Sequence, residues 1–75
     1  MKVSFYENSQ FIYAWENPVC IPIIGDIVVL ETETDESIIK RQYEVINRIV
    51  SKDSVDVICE YYDCETIIPK PNNNG

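Results

Sequence analysis

The stretch Pro22-Ile23-Ile24-Gly25-Asp26-Ile27-Val28-Val29-Leu30 decides the fold class. Gly25-Asp26 is a turn signal: glycine reaches backbone conformations closed to other residues, and aspartate bonds nearby amides. Ile27 to Leu30 are four β-formers in a row, long enough for a buried strand. Strand side chains alternate between faces, so Val28 and Leu30 facing a core turn Ile27 and Val29 outward.

Upstream, Val19 to Ile24 is apolar but interrupted by Pro22, which fits an extended connector crossing the domain. Asn17-Pro18 ends whatever precedes it, because proline cannot donate to a ladder. Lys2 to Glu7 alternates, with Val3 and Phe5 on one side. Asn8-Ser9-Gln10 is a polar break, and Phe11 to Trp15 resumes alternation with Phe11, Tyr13 and Trp15 on one side. The spacing predicts an N-terminal hairpin.

Downstream, Glu31-Thr32-Glu33-Thr34-Asp35-Glu36-Ser37 reads as an acidic loop. Ile38 to Gln42 fits either one short helical turn or the lead into the next strand. Tyr43 to Val50 reads as a strand with Tyr43 and Val45 inward, and Ser51-Lys52-Asp53-Ser54 as a hairpin connection. Val55 to Tyr61 alternates most clearly: Val55, Val57, Cys59 and Tyr61 against Asp56, Ile58, Glu60 and Tyr62. Asp63 to Ile68 can add a last strand or a turn. The expected domain covers residues 1–68, and residues 69–75 form a polar, flexible tail. The expected fold is mostly β, a small barrel of five or six strands, since closure removes exposed edges.

The pattern Pro22-x-x-Gly25-Asp26-x-Val28-x-Leu30, followed by a polar loop, Tyr43-x-Val45 and a Val55-x-Val57 strand, resembles small SH3-like barrels. With the preceding Phe11-Ile12-Tyr13 hairpin it is similar to short uncharacterised proteins of bacteria and their phages. The resemblance spans roughly residues 2 to 62 and implies an SH3-like barrel. It carries over no functional residue, because such barrels host many unrelated functions.

Charge narrows the function. Thirteen acids against six bases give a formal net charge of −7. Nucleic-acid backbones are bound by neutralising phosphates with Lys and Arg, and a polyanion repels this chain on approach. Anionic membrane surfaces are disfavoured for the same reason. No stretch nears the ~20 apolar residues that span a bilayer. The first residues show no signal-peptide pattern. Three cysteines, Cys20, Cys59 and Cys64, do not make a disulfide framework, so the expected compartment is the reducing cytoplasm.

Chemistry is scarce. With no histidine, neither Ser-His-Asp nor Cys-His arrangements are available. Asp26, Glu31 and Glu33 lie close in sequence, as do Asp35 and Glu36, but turn chemistry and a solvated loop explain them. Cys59-x4-Cys64 with Cys20 falls short of a zinc ligand set, and two glycines make no phosphate cradle. The reading assigns no catalytic, cofactor-binding or metal-binding residue. An enzyme or ligand-binding barrel would need a concave pocket holding carboxylates or Cys59 with an altered pKa.

The surplus apolar residues point elsewhere. Ile27, Val29, Ile58 and Tyr62 are the candidate interface, an outer apolar face needing cover from Ile38-Ile39, from Ile67-Ile68, or from another chain. The expected function is a non-enzymatic protein-interaction module whose partner is a protein, a second copy included. The alternative is an acidic inhibitor that mimics nucleic acid and blocks a basic site on a nuclease or other nucleic-acid-binding protein.

Overall fold

A computed structural model describes residues 1–71, apart from the side chain of Cys64. The chain is all-β, with strands β1 (Lys2–Glu7), β2 (Gln10–Glu16), β3 (Ile27–Glu33), β4 (Ser37–Val50) and β5 (Ser54–Pro69). They form one sheet in the order β2-β1-β5-β4-β3, with β1 and β5 parallel and the other neighbours antiparallel. The sheet curls strongly into a half-barrel, consistent with a small SH3-like barrel.

The turn at Gly25 works as its sequence demands. Gly25 has φ +97°, and the Asp26 amide donates to the Ile23 carbonyl at 3.0 Å, which makes a type II turn. The Asp26 carboxylate accepts the Ile23 amide at 2.9 Å. The Gly25 amide donates to the Val45 carbonyl at 2.8 Å, and the Val45 amide to the Asp26 carbonyl at 2.9 Å. That pairing of two residues against one, with glycine in the left-handed region, is a G1 bulge that launches β3 against β4.

The N-terminal hairpin forms where expected. Asn8 and Ser9 have φ 50° and 64°, the two left-handed residues of a tight turn whose twist matches the strands. A bulge between Phe5 and Tyr6 pairs Phe5 with Tyr13 but Tyr6 with Phe11, skipping Ile12. Tyr13 and Trp15 therefore stay on the inner face. Phe11 moves to the outer one, against the expectation of one shared side, and its ring meets Tyr6 edge-on at 5.8 Å.

The core is Val3, Phe5, Val28, Leu30, Tyr43, Val45, Val55, Val57 and Cys59, all buried. Ile12, Tyr13, Trp15 and Ile21 pack against it. Phe5 is fully buried and meets Trp15 edge-on with ring centroids 4.7 Å apart. The connector before β3 covers one end: Ile21 packs inward, Pro22 is buried, and the Pro22 carbonyl accepts from Arg48 Nη1 at 3.4 Å.

Downstream, the sequence expectations need correction. The acidic segment is mostly strand: β3 runs through Glu33, and the turn is only Thr34-Asp35-Glu36-Ser37, closed by the Thr34 amide on the Ser37 carbonyl at 2.8 Å. Glu31 and Glu33 face solvent while Leu30 and Thr32 face inward, so alternation accommodates the carboxylates. Among the described residues there is no helix. Ile38 to Gln42 belongs to β4, where β-branched Ile38 and Ile39 pair with Ile68 and Ile67. β5 absorbs Asp63 to Ile68 through bulges that skip Tyr62 and Cys64. It ends at Pro69, and the Lys70 amide donates to the Glu36 carbonyl at 2.9 Å. The rest of the expected tail, residues 72–75, lies outside the described residues.

Candidate interaction surface

The register fixes which side chains share a face. On the inner face Val28, Tyr43 and Tyr61 stand side by side, as do Leu30, Arg41 and Glu65. On the outer face Ile27 stands beside Glu44 and then Glu60, and Val29 beside Gln42 and then Asp63.

Two of the four candidate interface residues stay together. Ile27 and Val29 are 43% and 46% exposed, on β3 at the edge of the sheet. Ile58 is half-buried, flanked by Asn47 and by Tyr6, on the far side of Glu44 and Glu60. Tyr62 is 55% exposed at a bulge, between Tyr61 and Asp63, which both have partners on β4. Among the described residues the expected cover does not form. Ile38 and Ile39 pair with Ile68 and Ile67 near the ends of β4 and β5, beside Glu33 and Thr32 rather than Ile27 and Val29.

The same face gathers acids: Glu31, Glu33, Glu44, Asp56, Glu60 and Asp63 all fall on it by register. Glu44 and Glu60 are direct cross-strand partners, a like-charge pair that costs stability. Lys40 Nζ answers Glu31 at 3.3 Å, and Lys70 Nζ answers Glu33 at 2.7 Å, holding the Glu33 carboxyl below the usual range. Arg41 Nε donates to Glu65 Oε2 at 2.8 Å on the inner side, and that bond raises the guanidinium's pKa.

Sequence reasoning missed a groove along the gap between β2 and β3, because it needs both unpaired edges of the sheet. A hollow of about 360 Å³ is lined by Ile12 and Tyr13 from β2, Glu31, Thr32 and Glu33 from β3, and Ile38 from β4. A second, of about 340 Å³, shares Ile12, Tyr13 and Thr32 and runs on past Glu7, Arg41 and Tyr43. The available signal was the surplus length of Ile38 to Val50 and Val55 to Ile68 over the short N-terminal hairpin, which leaves the sheet unevenly covered.

The groove's neighbours are not poised for nucleophilic chemistry. Burial, with the Glu7 charge adding to it, pushes the Cys59 thiol up to about 11, away from the reactive thiolate. Cys59 Sγ donates instead to the Tyr6 carbonyl at 3.5 Å. Burial also raises Tyr43, against the opposing hydrogen bond from Arg41. Glu7 is occupied: its Oε2 accepts the Tyr61 amide at 3.2 Å. Cys20 is an exposed free thiol remote from these groups in the sequence. No helix among the described residues is long and apolar enough to cross a membrane. No family model, curated protein or solved structure matches the chain.

Proposed function

We propose that the protein is a non-enzymatic protein-interaction module that uses the β3 side of its half-barrel, in the reducing cytoplasm. The observation that carries this reading is the exposure of Ile27 and Val29 on an edge strand that no other segment of the described chain covers. Aliphatic side chains left in water at a sheet margin gain roughly 25 cal/mol for each Å² they bury against a partner. The absence of histidine and the upward shift at Cys59 agree with a role in binding rather than catalysis.

The test pairs light scattering across concentration with affinity capture, using the wild type, Ile27→Lys and Val29→Glu. Both positions are exposed, so the substitutions are expected to leave the circular dichroism spectrum unchanged. The reading expects them to abolish self-association or release a captured partner. A strictly monomeric protein whose captured set is identical for all three chains contradicts it.

A second reading has its own support. The acids on the outer face match an inhibitor that presents a nucleic-acid-like charge pattern to a basic protein site. Glu44→Lys with Glu60→Lys would then release a nucleic-acid-binding partner that Ile27→Lys retains, and the complex would weaken steeply with salt.

A further inference from the structure

The two free edges of the half-barrel carry an inference about how a partner is held, and it rests on the interaction-module reading. The hydrogen bonds at both ends of β3 set the phase of its ladder. At one end the Val45 amide donates to the Asp26 carbonyl; at the other the Thr34 amide donates to the Ser37 carbonyl. In an antiparallel pair, residues alternate between those that exchange both bonds with the partner strand and those that turn both groups away. Counting inward from either end gives one answer. Val28, Leu30 and Thr32 bond to Tyr43, Arg41 and Ile39, while Ile27, Val29, Glu31 and Glu33 turn their amides and carbonyls to the open side. No backbone or side-chain hydrogen bond among the described residues meets those outward groups.

That open ladder borders the groove whose other wall is Ile12 and Tyr13 of β2. We propose that an extended segment of a partner protein adds to the β3 edge as a further strand, with aliphatic side chains on its inward face and, on its outward face, aliphatic residues opposite Ile27 and Val29 and Lys or Arg opposite Glu31 and Glu33. Strand addition supplies main-chain bonds for affinity and alternate side chains for specificity. Its inward side chains would lie beside Leu30 and Thr32 and enter the groove against Ile12 and Tyr13. Its outward side chains would lie beside Ile27 and Val29, then beside Glu31 and Glu33.

Charge selects the occupant. Glu31 and Glu33 each have one cation, Lys40 and Lys70, and their side chains remain half-exposed or more. A carboxylate has a second oxygen to offer, so an incoming Lys or Arg finds an acceptor in register. A second copy of the chain fits poorly. In every antiparallel register overlapping the middle of β3, Glu31 or Glu33 of one copy would oppose a carboxylate or the aliphatic Ile27 and Val29 of the other. Two chains of net charge −7 also repel.

The experiment uses the full chain, labelled with ¹⁵N, and capped peptides of about nine residues, enough to span β3. The lysine peptide carries valine on its inward face and, outward, valine opposite Ile27 and Val29 and lysine opposite Glu31 and Glu33, and the control has glutamate in place of each lysine. Amide exchange at Ile27, Val29, Glu31 and Glu33 slows roughly tenfold or more with the lysine peptide and is unchanged with the glutamate one. N-methylation of alternate peptide residues in the phase facing β3 abolishes the effect, and in the opposite phase preserves it. Unchanged exchange with the lysine peptide at about 1 mM, equal slowing by both peptides, or indifference to methylation phase overturns the proposal. If Ile27→Lys releases a partner while these amides stay unprotected, the module reading stands and strand addition falls. If neither occurs, both fall.

Discussion

The two halves of β4 and β5 use similar residues to opposite effect. In the proximal half Val45, Val55, Val57 and Cys59 are almost completely buried, because β1 pairs with β5 there, Val3 and Phe5 join them in one core, and Trp15 packs against it. In the distal half Ile39 pairs with Ile67 and Ile38 with Ile68, yet Ile67 and Ile68 are 57% and 40% exposed. β1 reaches β5 only as far as Ile58, and the ends of β4 and β5 that carry Ile38, Ile39, Ile67 and Ile68 run on well past it. The lesson is that aliphatic content sets the potential for burial, while strand length and neighbour decide where it is realised. Buried apolar packing is therefore concentrated at one end of the molecule, while aliphatic side chains stay exposed along the margin of β3.

The largest expected effect tests the proximal half. Phe5→Ala empties a fully buried site and costs about 3–5 kcal/mol. A chain of this size carries roughly 4–11 kcal/mol in all, so a urea midpoint near that of wild type would break the comparison. Gly25→Ala comes next. A methyl group there meets open space, so the cost is the φ of +97° alone, about 1–2 kcal/mol. A thermal melt shows whether the loss stays in that range.

The distal half answers more weakly. Arg41→Gln breaks an ion pair whose side chains are well exposed, for a loss of about 0–1 kcal/mol that shrinks further in salt. Ile67→Thr changes stability by no more than about 0.5 kcal/mol in the same urea assay, because its side chain is already largely in water. A loss as large as that of Phe5→Ala would mean the distal strands have cover after all. Thiol chemistry sharpens the contrast without an energy. Near neutral pH an alkylating reagent modifies exposed Cys20 and spares buried Cys59, as peptide mass mapping reads directly. The Cys59 pKa rises on folding from its ordinary value near 9 to about 11, so the folded state holds the proton longer than the unfolded chain. Stability is thus unaffected by this group below about pH 9 and falls as pH climbs towards 11.

Much of the proximal half was legible in the sequence. Alternation in Lys2 to Glu7 set Val3 and Phe5 on one shared side, and the Gly25-Asp26 turn with the later strands placed Val28, Leu30, Tyr43, Val45 and Val57 inward, where all seven lie, while Tyr61, expected beside Val57, stays 48% exposed. Three features were not legible. The bulge at Phe5 and Tyr6 flips Phe11 without any glycine or proline to announce it. The acids of Glu31 to Glu33 mimic a loop, although strand alternation holds carboxylates as readily as any polar residue on a solvated face. The groove depends on which strands end up as edges, and that follows from the parallel pairing of β1 with β5, a long-range contact with no local signal. For the candidate interface, alternation placed Ile27, Val29 and Ile58 outward, but the acids of β4 and β5 that part Ile58 from Ile27 and Val29 emerge only from the register.

Amide hydrogen exchange in the free protein tests the open β3 margin most directly. Val28, Leu30 and Thr32 are expected to exchange slowly, and Ile27, Val29, Glu31 and Glu33 to exchange near the rate of unstructured chain, alternating along one strand. Uniform protection of all seven amides would mean that the edge is covered and the barrel closed, and would contradict the placement of a partner there.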